Sequence, residues 1–279
     1  MTDAVDHGKR VPLPGEAVVH LWSWSLLASH AAEADYGRYL SPGEWARADR
    51  FRFPRDRRRY VVGRGTLRLR LAAYLGCPPG SVGIVQDEFG KPCLAGQSGR
   101  SPLVAFNLSH SGDLALLAVG GGPALGVDIE AIRPVERGVA GSVFAPDELA
   151  MLDAMPAHRR EAAFFACWTR KEAYAKALGT GLSMALDSFA VSPDPLLPAA
   201  FLRIDGDPCE MAHWTLVDVA AGPGYAAALA VRAPGCMVEW RDPGPLAGYV
   251  PSSPPSSLRS AGGGPTLDPG TRQRWAVEL

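Results

Sequence analysis

Asp128 and Glu130, separated by one residue in Leu-Gly-Val-Asp-Ile-Glu, are the first residues whose spacing implies chemistry. On a strand, side chains alternate between faces, so both carboxylates would point the same way. Two like charges at that distance repel and raise one pKa unless a cation lies between them. Oxygen-only ligands suit Mg²⁺. The plain alternative is a solvent-facing strand carrying two ordinary acids. A second group lies in Trp168-Thr-Arg-Lys171-Glu172-Ala-Tyr-Ala-Lys176-Ala-Leu-Gly179. Glu172 and Lys176 stand one helical turn apart in the order that favours an ion pair. Trp168, Glu172, Lys176 and Gly179 would share one helix face. A surface salt bridge is one reading of the two charges; a site is the other, since the face that carries the acid and the base also carries Trp and ends in Gly.

Phe106-Asn-Leu-Ser109-His110-Ser-Gly112 invites a serine–histidine hydrolase reading. On extended backbone, adjacent Ser109 and His110 point oppositely and make no nucleophile–base pair. The chain has no G-x-S-x-G. A turn through Ser109 and His110 would instead offer backbone N–H groups to phosphate oxygens. Phe89-Gly-Lys91-Pro92 predicts a rigid turn. It is not a P-loop, because Pro92 stands where Ser or Thr is needed. Arginines crowd positions 47 to 70, where the only acids are Asp49 and Asp56. Such a run forms either a solvated helix face or an anion-binding wall.

The elements that must position these groups follow from local signals. Ser41-Pro42-Gly43-Glu44 is a capping box with Pro at the first helical position, and predicts a helix to about Phe53. Pro54 restarts the chain into a longer helix ending at Leu75, before Gly76. Pro146-Asp147-Glu148 opens another helix, and Glu161 to Leu178 a further one closed by Gly179. Strands are predicted at 18–27, 82–85, 104–108, 114–119, 125–132, 188–191, 213–219 and 226–231, with a hairpin turn over 109–113. Gly120-Gly121-Gly122-Pro123 divides the chain. The predicted fold is α+β with two pseudo-symmetric lobes, each a small antiparallel sheet packed with helices. The expected boundaries are a flexible N-terminus 1–16, an N-terminal lobe 17–121, a C-terminal lobe 122–232 with the metal site, and a disordered low-complexity tail 233–279, rich in Pro, Gly and Ser.

Composition narrows the function classes. A net charge of −1 over 279 residues argues against wholesale nucleic-acid binding or a polybasic membrane surface. Cysteines at 77, 93, 167, 209 and 236 form no C-x-x-C and suit a reducing compartment. Residues 1–14 carry no apolar core of a signal peptide, and no apolar run approaches the ~20 residues of a membrane span. A monomeric cytoplasmic protein is expected. Only four lysines occur, and Lys91, Lys171 and Lys176 all fall in the segments above.

Together and in this order, LSPGEWARADRF, GRGTLRLRLAAYLG, FGKP, FNLSHSG, GVDIE, FAPDE and WTRKEAYAKALGTGL resemble the 4′-phosphopantetheinyl transferases. The resemblance is to the longer, two-lobed type that activates the carrier proteins of peptide and polyketide synthases, enzymes of secondary metabolism. It implies transfer of the phosphopantetheine arm of coenzyme A (CoA) to a serine of an apo carrier protein, with Mg²⁺ and release of 3′,5′-ADP. Carried over by motif, Asp128, Glu130 and Glu172 would hold the metal. Glu172 would also be the base for the carrier serine, and Lys176 would steady the leaving phosphate. Asn107, Ser109 and His110 would line the phosphates, and Arg47 and Lys91 would hold CoA phosphates. The chain departs from some relatives at Glu44 and Gln86, where a basic residue can stand; Arg64 or another arginine would then supply the contact. The competing readings are a non-enzymatic CoA or carrier-binding module and a metal-dependent phosphohydrolase.

Overall fold

A computed structural model describes residues 11–241, apart from 16, 28, 97–102, 123, 136–137, 180–183 and 207–208. The first lobe begins with strand β1 (Val18–Ser25) and continues through helices α1 (His30–Gly37), α2 (Pro42–Ala48) and α3 (Pro54–Leu75). It closes with the short hairpin β2 (Ile84–Gln86)–β3 (Pro92–Leu94) and the long one β4 (Ala105–Ser111)–β5 (Leu114–Gly120). The second lobe repeats the plan. It comprises β6 (Leu125–Ala131), α4 (Pro146–Ala154), α5 (Arg160–Leu178), the pair β7 (Phe189–Val191)–β8 (Phe201–Ile204), and β9 (Thr215–Asp218) with β10 (Tyr225–Val231). Strand orders β1-β5-β4 and β6-β10-β9 correspond place for place. The two-lobed α+β architecture is thus present, with antiparallel pairing inside each lobe.

The long helices end alike. Gly76 and Gly179 take φ of +64° and +70° and donate to the carbonyls of Ala72 and Ala175, a left-handed cap that costs glycine little. The capping box at Ser41 forms in both directions, Ser41 N–H to Glu44 and Glu44 N–H to Ser41 Oγ. The helix it opens stops at Ala48, earlier than its sequence suggests, because Asp49 and Arg50 turn the chain into Pro54.

Apolar layers pack each lobe's helices on its sheet and the two sheets on each other. Leu67 and Leu71 of α3 pack on Trp22, Phe106, Leu117 and Val119. Phe165, Ala173 and Ala177 of α5 pack with Leu216, Ala228 and Ala230. Between the sheets, Val19, Leu21, Leu114 and Leu116 meet Val127, Ile129, Leu229 and Val231. The alternation of each strand assigns its residues to one layer or the other.

Two expected boundaries move. The segment read as flexible to residue 16 is seated from Val11, whose N–H donates to Ala73 O at 3.0 Å and whose side chain joins the α3 layer. The segment read as tail from 233 contains strand β11 (Met237–Trp240), parallel to β1 in the register Val18↔Met237 to Leu21↔Trp240. Cys236 is buried, and Val238 and Trp240 pack on the middle layer. Pro and Gly content concealed a strand whose partner lies at the other end of the chain. Residues 1–10 and the tail from 242 lie outside the described residues. Among the described residues, no helix is long and apolar enough to cross a membrane.

Candidate active site

The site grows from a seam between β4 and β6. The expected turn over 109–113 is shorter than predicted: β4 runs through Ser111, and Gly112 (φ +57°) with Asp113 makes the turn. Ser109 and His110 therefore stand in a strand paired with Leu116 and Ala115, not in a phosphate-cradling turn. Asn107, Ser109 and Ser111 share one face at a spacing of two and reach across to β6. Val127 N–H donates to Asn107 Oδ1 (2.8 Å), Ile129 N–H to Ser109 Oγ (3.4 Å) and Ala131 N–H to Ser111 Oγ (3.0 Å). Side chains thus satisfy one edge of β6, where a further strand's backbone would normally do so.

The same hydroxyls hold the acids. Ser109 donates to Asp128 Oδ1 and Ser111 to Glu130 Oε2, each at 2.8 Å. All five of these side chains are buried. Ser111 was not singled out by sequence; its signal was the period of two from Asn107 and Ser109, facing a strand whose acids share that period.

Helix α5 brings the cation. Gly126 lets it approach β6 directly: a Cβ there would lie 2.2 Å from Ala173 O and 2.3 Å from Ala177 N. Lys176 Nζ then reaches Asp128 Oδ1 at 2.6 Å and Ser109 Oγ at 3.0 Å. Burial works against its charge, but Asp128, Glu172 and Glu130 outweigh burial and raise its pKa. Asp128 Oδ2 is buried without a hydrogen-bond partner. Burial and the charge of Asp128 push Glu130 up to about 7, against the pull of Ser111, Arg133 and Lys176. Lys176 pairs with Asp128 and Arg133 lies 3.5 Å from Glu130, yet one oxygen of Asp128 remains orphaned beside a second acid, an arrangement that fits a hard divalent cation.

The three carboxylates expected to hold the metal do not gather into one group; among the described residues no three His, Cys, Asp or Glu side chains do. The α5 side chain that meets Asp128 is Lys176, one turn beyond Glu172. A cation on Asp128 and Glu130 would take its remaining ligands from water and substrate phosphates, as Mg²⁺ commonly does.

His110 lies on the opposite face of β4. Burial, then Lys176 and Arg59, pull its pKa down to about 4, so it is neutral at ordinary pH. Lys91 Nζ donates to the backbone carbonyls of Lys176 (2.6 Å), Leu125 (3.2 Å) and Ala177 (3.4 Å). Arg47 stands apart, its guanidinium 5.5 Å from the centre of the Tyr60 ring. Arg64 and Arg68 are not spare: both are buried on Glu44, with Nε–O distances of 2.9 and 2.7 Å. Trp168 stacks on Phe164 beside the α5 layer. Lys171 is fully buried on Glu148, 2.7 Å from each oxygen, and fastens α4 to α5.

Comparison with known proteins covers both lobes. A family model described as the 4′-phosphopantetheinyl transferase superfamily matches residues 124–230, and one described as 4′-phosphopantetheinyl transferase, N-terminal, matches residues 24–121. The chain is 38% identical to the 4′-phosphopantetheinyl transferase HetI of Nostoc sp. over 215 residues, 76% of this chain and 87% of that one. It is 35% identical to the 4′-phosphopantetheinyl transferase psf-1 of Bacillus pumilus, over 70% of this chain and 80% of that one. With the 4′-phosphopantetheinyl transferase Sfp of Bacillus subtilis it shares 30% identity, over 55% of this chain and 66% of that one.

Proposed function

Because the chain belongs to the 4′-phosphopantetheinyl transferase superfamily, in the longer type to which HetI and Sfp belong, we propose that it modifies apo carrier proteins with the arm of CoA in a Mg²⁺-dependent reaction. The oxygen of a carrier serine attacks the β-phosphorus of CoA. Its bond to that phosphorus forms as the bond to the bridging oxygen breaks, and 3′,5′-ADP leaves. The serine proton passes to Glu172.

The observation that carries this reading is the cluster of buried Asp128 and Ser109 with half-buried Lys176, in which one carboxylate oxygen is held and the other has no partner. Asp128 and Glu130 would hold Mg²⁺, which when bound neutralises pyrophosphate charge and polarises its oxygens. Ser109 and Ser111 fix the two carboxylates. Lys176 keeps its proton and presents a point charge to the leaving oxygen. Neutral His110 offers a hydrogen bond instead of a charge to a CoA phosphate, and Arg47 supplies a cation further out. The nucleophile belongs to the carrier, so phosphoryl transfer asks this chain chiefly for positioning and charge.

The test is intact-mass spectrometry of an apo carrier protein incubated with this protein, CoA and Mg²⁺. A gain of one phosphopantetheine arm, abolished by EDTA and restored by Mg²⁺, is expected. An unchanged mass across peptidyl and acyl carriers would overturn the assignment.

A further inference from the structure

The Gly-Lys-Pro hairpin belongs to the first lobe, yet its lysine ends in the second. Lys91 leaves a turn held from within: Asp87 Oδ1 accepts the N–H groups of Phe89 and Lys91, each at 2.9 Å, and Asp87 N–H donates to Lys91 O. Gly90 takes φ +85°, and Pro92 begins β3 opposite Gln86. The stem passes over Gly179, with Cδ 3.6 Å from where a Cβ would stand. The ammonium then meets the carbonyls of Lys176 and Ala177, in the last turn of α5, and that of Leu125, at the start of β6. A helix leaves its last carbonyls unpaired and carries partial negative charge there, so a cation is favoured. An ammonium has three N–H donors, and here three carbonyls receive them.

We propose that Lys91 is a positioning residue: reaching over from the first lobe, it clamps the end of α5 to the start of β6 within the second, and so sets Lys176 against Asp128, and it is not a ligand of a CoA phosphate. This rests on the transferase reading for its effect on rate. The lysine's place supports it: its charge is sunk far enough that burial, against the pull of Asp87, brings its pKa down to about 8. A phosphate ligand needs donors facing the substrate, and these face backbone.

The experiment is Lys91→Met, which keeps the stem and removes the charge, compared with wild type in kinetics, 3′,5′-ADP titration and hydrogen exchange. The expected result is a fall in kcat of about 10- to 100-fold, the cost of a small misplacement of a catalytic group. KM for CoA and Kd for 3′,5′-ADP should stay within about twofold. Added to Lys176→Ala, the change should lower kcat little further, since it acts through Lys176. A raised KM for CoA with kcat intact would make Lys91 a phosphate ligand and overturn the proposal. A lower Tm with kcat and KM both intact would leave only a structural role and overturn it too. If Lys91→Met fails to fold, Lys91→Gln, which retains a donor, carries the same readouts. Absence of transfer by the wild type would sink the transferase reading, not the clamp. Exchange at the amides of 176–179 still reads the clamp: faster exchange in the variant supports it, and unchanged exchange overturns it.

Discussion

Lys176 and Asp128 meet at 2.6 Å although 48 residues separate them. If the ammonium stabilises charge growing on the leaving oxygen, Lys176→Ala should lower kcat by about 10²–10³, the usual cost of losing one preorganised contact. Glu172→Gln keeps shape and removes basicity, so turnover should collapse while Tm holds. Near-wild-type kcat in both variants would return the pair to a mere ion pair. His110 gives a prediction with a sign. Its folded pKa of about 4 lies below the ordinary 6.5, so between those values the unfolded chain binds more proton. Its contribution is complete above pH 6.5 and is lost as pH falls towards 4, at up to about 1.4 kcal/mol per pH unit. Denaturation midpoints measured from pH 7 to 4.5 should therefore fall less steeply in His110→Gln than in wild type; parallel curves would contradict the shift. The placement of these residues was legible in part: the period of two in Asp128 and Glu130 sets both on one face of β6, against Ser109 and Ser111, and the helical turn from Glu172 to Lys176 lies in α5, where Lys176 reaches Asp128. The destination of Lys91 was not, because no local rule tells a lysine in a turn which lobe it will end in.

At the scale of elements, Gly126 decides how near α5 comes to β6. Gly126→Ala would press a methyl into the helix backbone at Ala173 and Ala177, where no flexible side-chain end can yield. Overpacking of that kind costs about 1–3 kcal/mol. It should also move Lys176 off Asp128, so kcat should fall more than CoA binding does. The check is Tm and kcat together, and a stable variant with unaltered kcat would show that this close approach does not set the site. Elements built by local rules were legible where the rule is a start or stop signal: the capping box at Ser41 and the run from Pro54 to the left-handed Gly76 stand as read, whereas the end of α2 at Ala48, five residues before Phe53, carried no such signal. The β4–β6 seam was not. Its hydrogen bonds join side chains to backbone at an offset of 20 in sequence, and hydrophobic periodicity carries no record of such pairing. Strands β3 and β8 are each too short to show a period.

For the molecule as a whole, β11 makes the C-terminal boundary a matter of stability. A chain ending at Ala233 loses Cys236, Val238 and Trp240 from the middle layer, on the order of 3 kcal/mol of apolar burial. For a protein of this size that is roughly 10 °C in Tm. A chain ending at Arg241 keeps the strand and gives up only the Pro-, Gly- and Ser-rich remainder, so its Tm and transfer rate should match the full chain. Equal melting of the two truncations would deny β11 its role. The pairing of β11 with β1 also orders events during synthesis. The first lobe's outermost sheet position is filled by residues 237–240, which leave the ribosome after the second lobe's own strands have all been made. Until then β1 presents an unpaired edge, the kind of surface on which nascent chains associate wrongly. The half translated first is therefore completed last.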